Sequence, residues 1–229
     1  MTPLRMKFAV FLLLMVLTIF ASRGSAQNLL NNGDFSSGNL SGWTVFLTTN
    51  GNLGSSFGLP NVESFDVAGT GSATDAAQFQ PGQVVFRPLQ VNGGGGIDQT
   101  FNSAAGTYVI SADIASTDIN SVENLDPGTF WLLIDGNIVD SVQWTGSPIQ
   151  AGQTLRGILD ATISLGQGSH DIAIEVAREG ENGSSYGATP LEYVSNVEVV
   201  AVPEPSTISL GLAGLVFTLL RRKSKCGYK

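Results

Sequence analysis

Thr107-Tyr108-Val109-Ile110-Ser111-Ala112-Asp113-Ile114 is a stretch in which every second residue, beginning with Tyr108, is apolar. Successive side chains of a β-strand point to opposite faces of the sheet, so one face of this strand would carry these apolar groups. That face consists of Tyr108, Ile110, Ala112 and Ile114. The stretch therefore predicts a β-strand with one face in a hydrophobic core.

Similar patterns lie further along the chain. One predicted face carries Ile172, Ile174 and Val176, and a later one carries Val194, Val197 and Val199. The pair Ser195-Asn196 interrupts strict alternation in the later segment, which indicates a β-bulge.

Short segments of this kind recur at roughly ten-residue spacing, separated by Gly, Asn, Asp and Ser. We predict strands near residues 43–48, 63–68, 76–80, 84–90, 96–101, 107–115, 128–134, 137–144, 155–164, 169–177 and 191–200. Between the two ends of the chain, no window has a sustained helical period. Many short strands joined by glycine-rich turns predict an all-β sandwich or barrel.

Three motifs extend this prediction to a family. The chain has Asn28-Leu29-Leu30-Asn31-Asn32-Gly33-Asp34-Phe35 followed by Gly42-Trp43, then Ile97-Asp98-Gln99-Thr100-Phe101, and finally Tyr193-Val194-Ser195-Asn196-Val197. In these motifs it resembles galactose-binding-like β-sandwich domains, which are common among carbohydrate-binding modules. The resemblance implies a jelly-roll-like antiparallel β-sandwich over residues 27–201, with its opening and closing segments close together.

Calcium binding is a second expectation. The family's structural calcium uses acidic residues where this chain has Ser36 and Ser195, so the resemblance does not supply that site. A separate acidic loop offers oxygen ligands at close spacing, and calcium would accept them. Its candidate ligands are Asp118, Asn120, Glu123 and Asp126. The alternative is a solvated acidic loop.

The N-terminal 26 residues are typical of a secretory signal peptide. Arg5 and Lys7 precede the apolar run from Phe8 to Ala21, and Gly24-Ser25-Ala26 supplies small residues for cleavage. The pattern predicts export through the secretion translocon and a mature domain that begins near residue 27.

The last 28 residues, 202–229, form a separate tail. They begin Val202-Pro203-Glu204-Pro205-Ser206, continue with a predicted helix over residues 207–220, and carry a basic stop over residues 221–225. The apolar part is 13 residues long, about 20 Å as a helix, whereas a bilayer core is about 30 Å thick. The stop consists of Arg221, Arg222 and Lys223, which would remain on the cytoplasmic side.

This tail resembles the PEP-CTERM sorting signal of Gram-negative bacteria that produce exopolysaccharide. The resemblance implies processing by an exosortase near Pro203–Ser206, after a transient stay in the inner membrane. The mature protein would then reach the cell surface or the extracellular matrix. The alternative is a plain, short C-terminal membrane helix.

Composition excludes several classes of function. Residues 27–201 carry three arginines, no lysine and 18 acidic residues, a formal charge of −15, which argues against nucleic acid. The single cysteine, Cys226, lies in the tail, and His170 is the only histidine. A disulfide, a thiolate metal site and a hydrolase triad are therefore not expected in the exported domain.

Aromatic residues are the remaining candidates for binding, because they can stack on the C–H face of a sugar ring. Trp43, Tyr108 and Tyr193 have apolar neighbours and are expected in the core. The candidate ligand platform is Trp144 and Tyr186, with Asn182 and Glu181 as hydroxyl partners. The sequence favours a non-enzymatic β-sandwich with a structural or biofilm-associated role. The alternative is a carbohydrate-binding module for exopolysaccharide.

Overall fold

A computed structural model describes residues 27–85, 87, 93–120, 123–144, 148–178 and 189–203. The described residues form twelve β-strands and one 3₁₀ turn, Ser55–Phe57. The strands are β1 Thr44–Leu47, β2 Gly51–Asn52, β3 Asn61–Phe65, β4 Thr74–Phe79, β5 Gly82–Gln83, β6 Gly93–Ser103, β7 Gly106–Thr117, β8 Thr129–Ile134, β9 Asn137–Gln143, β10 Thr154–Leu165, β11 Gly168–Arg178 and β12 Leu191–Ala201.

The strands form two five-stranded sheets. The front sheet has the order β1-β6-β11-β8-β9, and the back sheet has the order β10-β7-β12-β4-β3. Strands β2 and β5 make a small separate pair, and the neighbouring strands described here pair in antiparallel fashion. This architecture confirms the predicted antiparallel β-sandwich.

The core lies between the two sheets and contains the predicted apolar faces. On β7, Tyr108, Ile110, Ala112 and Ile114 are each at most 4% exposed, and they meet Ile172, Ile174 and Val176 of β11 in the same cluster. Burial of these side chains is the main favourable term for the fold, at about 25 cal/mol per Å² of apolar surface. Trp43, Tyr108 and Tyr193 are also buried, as predicted.

Most predicted strands lie within a few residues of the observed ones, but the strand expected at 84–90 is wrong where the structure describes it. Val84 and Val85 follow β5 in a bend, and both are more than half exposed. The main-chain N–H groups of these two valines donate to the backbone and side-chain oxygens of Asn50 instead of to a ladder. Apolar composition alone therefore gave a false strand at this position.

The opening segment docks on the last strand, as the motif resemblance implied. The register of β12 shifts between Ser195 and Glu198, which confirms the predicted bulge. Asn28 spans this irregularity: its Nδ2 donates to the carbonyl of Val197 (2.8 Å), and its Oδ1 accepts from the N–H of Val199 (2.9 Å). The two segments are therefore joined next to the bulge.

The predicted signal peptide over residues 1–26, and the tail from Glu204 onwards, lie outside the described residues. Within the described part of the chain, none of the elements is a helix long and apolar enough to cross a bilayer.

Candidate functional site

A row of side chains crosses the outward face of the front sheet. The strand registers align Phe46 of β1, Gly96 of β6, Glu175 of β11, Trp131 of β8 and Ser141 of β9. Their sequence neighbours Ile97, Ile174 and Leu132 are buried in the core, so members of the row point away from it. The row places an aromatic residue on either side of a carboxylate.

Glycine leaves the middle of this row without a side chain. A Cβ at Gly96 would lie 2.0 Å from the carbonyl oxygen of Ile174, so the close approach of β11 requires glycine here. Phe46 and Trp131 are three strand spacings apart, about 14 Å. We call the surface over Gly96 and Glu175, between these two rings, the front groove.

The front groove is acidic. Asp98 lies diagonally to Glu175 on the same outward face, and Asp171 lies diagonally to Asp98. Burial raises the pKa of Glu175, while burial and then the charge of Asp171 raise the pKa of Asp98. Asp171 accepts a hydrogen bond from Thr100 Oγ1 (2.5 Å).

Glu175 and Asp98 differ from Asp171, which accepts from Thr100, because within the described residues no hydrogen bond or ion pair reaches either of their side chains. The arrangement offers aromatic faces for stacking and free carboxylate oxygens for donor groups, which is how sites for polar organic ligands combine apolar and polar contacts.

The predicted ligand platform is only partly described. Trp144 follows β9 and is half-buried, with its ring edge-on to Phe130 at a centroid distance of 5.5 Å. It also packs against the core rather than on the outward face. Glu181, Asn182 and Tyr186 lie outside the described residues. The structure therefore does not bring Trp144 together with the row in the front groove.

Two of the candidate calcium ligands, Asp118 and Asp126, lie near a buried arginine at one end of the sandwich. Asp118 is buried and its Oδ1 accepts from the backbone and side-chain nitrogens of Asn120, whereas Glu123 is exposed and accepts from Gln150. Arg178 Nε donates to the carbonyl of Asp126 (2.6 Å). In the part of the chain that is described, no group of three or more acidic, His or Cys side chains is arranged to hold a metal ion.

Arg178 supplies positive charge in this region and belongs to what we call the end cluster, with Asn124, Asp126, Ser116 and Glu192. Its Nη2 donates to Asn124 Oδ1 (2.9 Å). Glu192 is fully buried, and its Oε1 accepts from Ser116 Oγ (3.0 Å). The carboxylates of the end cluster thus already have a cation beside them, the Arg178 guanidinium, and a calcium ion would have to compete with it for their oxygens.

His170 makes structural hydrogen bonds at the opposite end of β11. Its Nδ1 lies 2.7 Å from Asp135 Oδ2, and its Nε2 lies 3.2 Å from the carbonyl oxygen of Gly166. These bonds, led by the one to Asp135, raise the pKa of His170. Both ring nitrogens therefore have an acceptor, which favours the doubly protonated imidazolium form.

Comparisons with known proteins return only distant structural similarities. No family model and no curated protein matches the chain. It is similar to TmCBM61, solved in complex with β-1,4-galactotriose (14% identity, 77% of this chain and 100% of that chain, TM-score 0.44). It is also similar to the C-terminal family 22 carbohydrate-binding module of Clostridium thermocellum Xyn10B (13%, 76% and 95%, TM-score 0.40).

A third similar structure is the arabinose-bound MgGH51 α-L-arabinofuranosidase (13% identity, 79% of this chain and 27% of that chain, TM-score 0.42). All three TM-scores lie below 0.5. The sandwich is defined by the strand pairing of the chain itself.

Sequence reasoning did not identify the residues of the front groove. In β8 the residues from Phe130 to Ile134 are all apolar, so alternation does not reveal which face carries Trp131. In β1, Phe46 likewise lies between two apolar residues, Val45 and Leu47. The grouping itself depends on pairings between distant strands, which alternation does not reveal.

Proposed function

We propose that the protein binds extracellular polysaccharide through the front groove. The observation that carries this proposal is the row in which Phe46 and Trp131 flank Glu175 over a floor made by Gly96. A sugar ring presents C–H groups to an aromatic face and hydroxyl donors to a carboxylate, so a saccharide matches both kinds of contact. The rings stand on strands of one sheet, which supports a site that is formed before the ligand arrives.

We propose binding without cleavage. Glycoside hydrolysis uses two carboxyl groups, and the backbone positions of Asp98 and Glu175 are diagonal neighbours about 7–8 Å apart. A hydrolase needs environments that move the two pKa values apart, so that one group is an acid and the other is ionised. Here burial acts on both groups in the same direction, and the charge of Asp171 adds to the rise in the pKa of Asp98. Within the described front-sheet strands, neither carboxyl has a Lys or Arg on its face to keep it ionised while the other is protonated. This pair supports hydrogen bonding to a ligand better than it supports acid–base catalysis.

A glycan array on the purified full-length chain, followed by titration of the retained glycans, tests the proposal. Trp131→Ala should weaken binding by about 2 kcal/mol, roughly 30-fold, because it removes a central aromatic contact. Phe57→Ala is the matched control, since Phe57 is an aromatic residue that is 64% exposed in the 3₁₀ turn. If the folded wild type binds no glycan, or if Trp131→Ala and Phe57→Ala lose the same affinity, the proposal fails and a structural role is favoured.

We also propose that the domain is exported and sorted by an exosortase. The support is the leader over residues 1–26 and the Pro203-Glu204-Pro205 tail with its basic stop. Intact-mass measurement of the native exported protein tests this: a chain shortened near Pro203–Ser206 is expected. Recovery of a chain that still ends at Lys229, in cells with a working exosortase, would indicate an ordinary membrane anchor.

A further inference from the structure

Among the described strands of the front sheet, no Lys or Arg shares the outward face with the carboxylates of the front groove. Among the outward-facing residues of the five front-sheet strands, the charged ones are Asp98, Asp171 and Glu175, and none is Lys or Arg. Arg178 terminates β11 but is buried in the end cluster, and Arg156 lies on the back sheet, where its Nε donates to the carbonyl of Asp66. The third arginine of the domain, Arg87, follows β5 and lies outside the five front-sheet strands. The charge of the groove is therefore available to a ligand.

Glu175 is the carboxylate best placed to contact a ligand in the front groove. It lies between Gly96 and the aromatic Trp131 in its row, is partly buried, and has no hydrogen-bond partner among the described residues. A partly desolvated carboxylate without a partner gains most from a donor that is itself charged, because charge-assisted hydrogen bonds are about twice as strong as neutral ones.

The aromatic residues favour the same kind of ligand independently. A cation over the face of Trp or Phe is attracted by the ring quadrupole, and the attraction is largest for Trp. Trp131 is the direct cross-strand neighbour of Glu175, so an ammonium group at this position would meet a carboxylate and an aromatic ring together. A uronate-rich glycan would instead bring like charge to Glu175 and Asp98, which disfavours binding.

We infer that the front groove selects polysaccharides that carry free amino groups, with the protonated amine seated between Glu175 and Trp131. This inference rests on the proposed function, because it names the ligand class of the same groove. It distinguishes amino-sugar polymers from N-acetylated, neutral and uronate polymers of similar shape.

Calorimetric titration of the full-length chain with three hexasaccharides tests the inference at mildly acid pH. The probes are β-1,4-linked glucosamine, β-1,4-linked N-acetylglucosamine and α-1,4-linked galacturonate. The glucosamine hexamer should bind about tenfold or more tightly than its N-acetylated counterpart, and the galacturonate hexamer should bind least. Added salt should reduce the advantage of the amine.

Two isosteric variants separate the groove from general attraction by an acidic protein. Glu175→Gln should remove most of the preference for glucosamine, whereas Glu63→Gln, an exposed position on β3 of the back sheet, should retain it. Both variants change the net charge equally. Equal loss of preference in the two variants would overturn the inference in favour of long-range attraction.

Equal affinity of the wild type for the amine and N-acetyl probes would also overturn the inference, while Trp131-dependent binding of either probe would still support the proposed function. If none of the three probes nor any array glycan binds, the proposed function itself fails. The two failures are therefore distinguishable.

Discussion

Replacement of Arg178 by methionine should destabilise the sandwich, and more strongly at alkaline than at acid pH. Arg178 is 1% exposed and donates to the carbonyl of Asp126 and to Asn124 Oδ1. Its charge acts on Asp126, Glu192 and Asp118. Methionine keeps the aliphatic stem but removes both the donors and the cation, so the buried carboxylates lose their compensating charge.

The magnitude follows from the burial of both partners. Removing one partner of a buried ionic group costs about 3–5 kcal/mol, and a domain of this size loses about 2–4 °C of Tm per kcal/mol, so a fall of about 6–20 °C is expected. Glu192 is fully buried, and its Oε2 has no hydrogen-bond partner in the described structure.

The pH dependence comes from Glu192. Burial raises the pKa of Glu192 well above 4.5, and the charge of Arg178 opposes that rise. The stability due to protonated Glu192 is present in full below pH 4.5 and is lost as pH rises through the folded-state pKa. Arg178 limits this loss in the wild type, so the cost of Arg178→Met should grow as the pH rises.

Urea unfolding of four proteins, on both sides of neutral pH, measures this effect. They are the wild type, Arg178→Met, Glu192→Gln and the double variant, which together form a double-mutant cycle. At alkaline pH, Arg178→Met should cost about 0.5–3 kcal/mol less in the Glu192→Gln background. A cost that is independent of pH and equal in the two backgrounds would refute the charge argument and leave only the hydrogen bonds of Arg178.

Two further predictions concern the other end of β11 and the close approach of β1 to β6. Because hydrogen bonding to Asp135 raises the pKa of His170, the stability contributed by protonated His170 should be complete below pH 6.5 and disappear as the pH rises through the folded-state pKa. An NMR titration of this lone histidine should give a midpoint above 6.5, and Asp135→Asn should lower it. An unchanged midpoint would contradict the role of Asp135. Gly95→Ala should cost about 1–3 kcal/mol of unfolding free energy, since the new Cβ would lie 2.1 Å from the carbonyl oxygen of Phe46. Gly166→Ala is the control, because a Cβ there meets open space, and its cost should stay within about 0.5 kcal/mol. Similar costs for both variants in chemical unfolding would show that β1 does not need this close approach.

The inward half of the sandwich could be predicted because burial imposes a period of two on the sequence. The faces led by Ile110 on β7 and Ile174 on β11 were correct for this reason, and so was the bulge at Ser195-Asn196, where the period fails. The strand expected at 84–90 failed because Val84 and Val85 are apolar without being buried.

The sites were less predictable because they depend on which strands become neighbours. Phe46 and Glu175 share a row only because β6 pairs with β1 on one side and with β11 on the other. Arg178 and Glu192 look like ordinary surface charges in the sequence, yet both are buried where β11 ends and β12 begins. Long-range pairing of this kind leaves no local signal in residue spacing.

The location of the front groove on strands has a consequence for how it would bind. Phe46, Glu175 and Trp131 are fixed by the ladders of β1, β11 and β8, so a ligand would not have to order a loop before meeting all three side chains. The distance between Phe46 and Trp131 instead depends on how closely β1 approaches β6, and Gly95 permits this close approach. Gly95→Ala should therefore weaken glycan binding as well as stability, because it moves Phe46 away from Trp131 without altering either aromatic side chain.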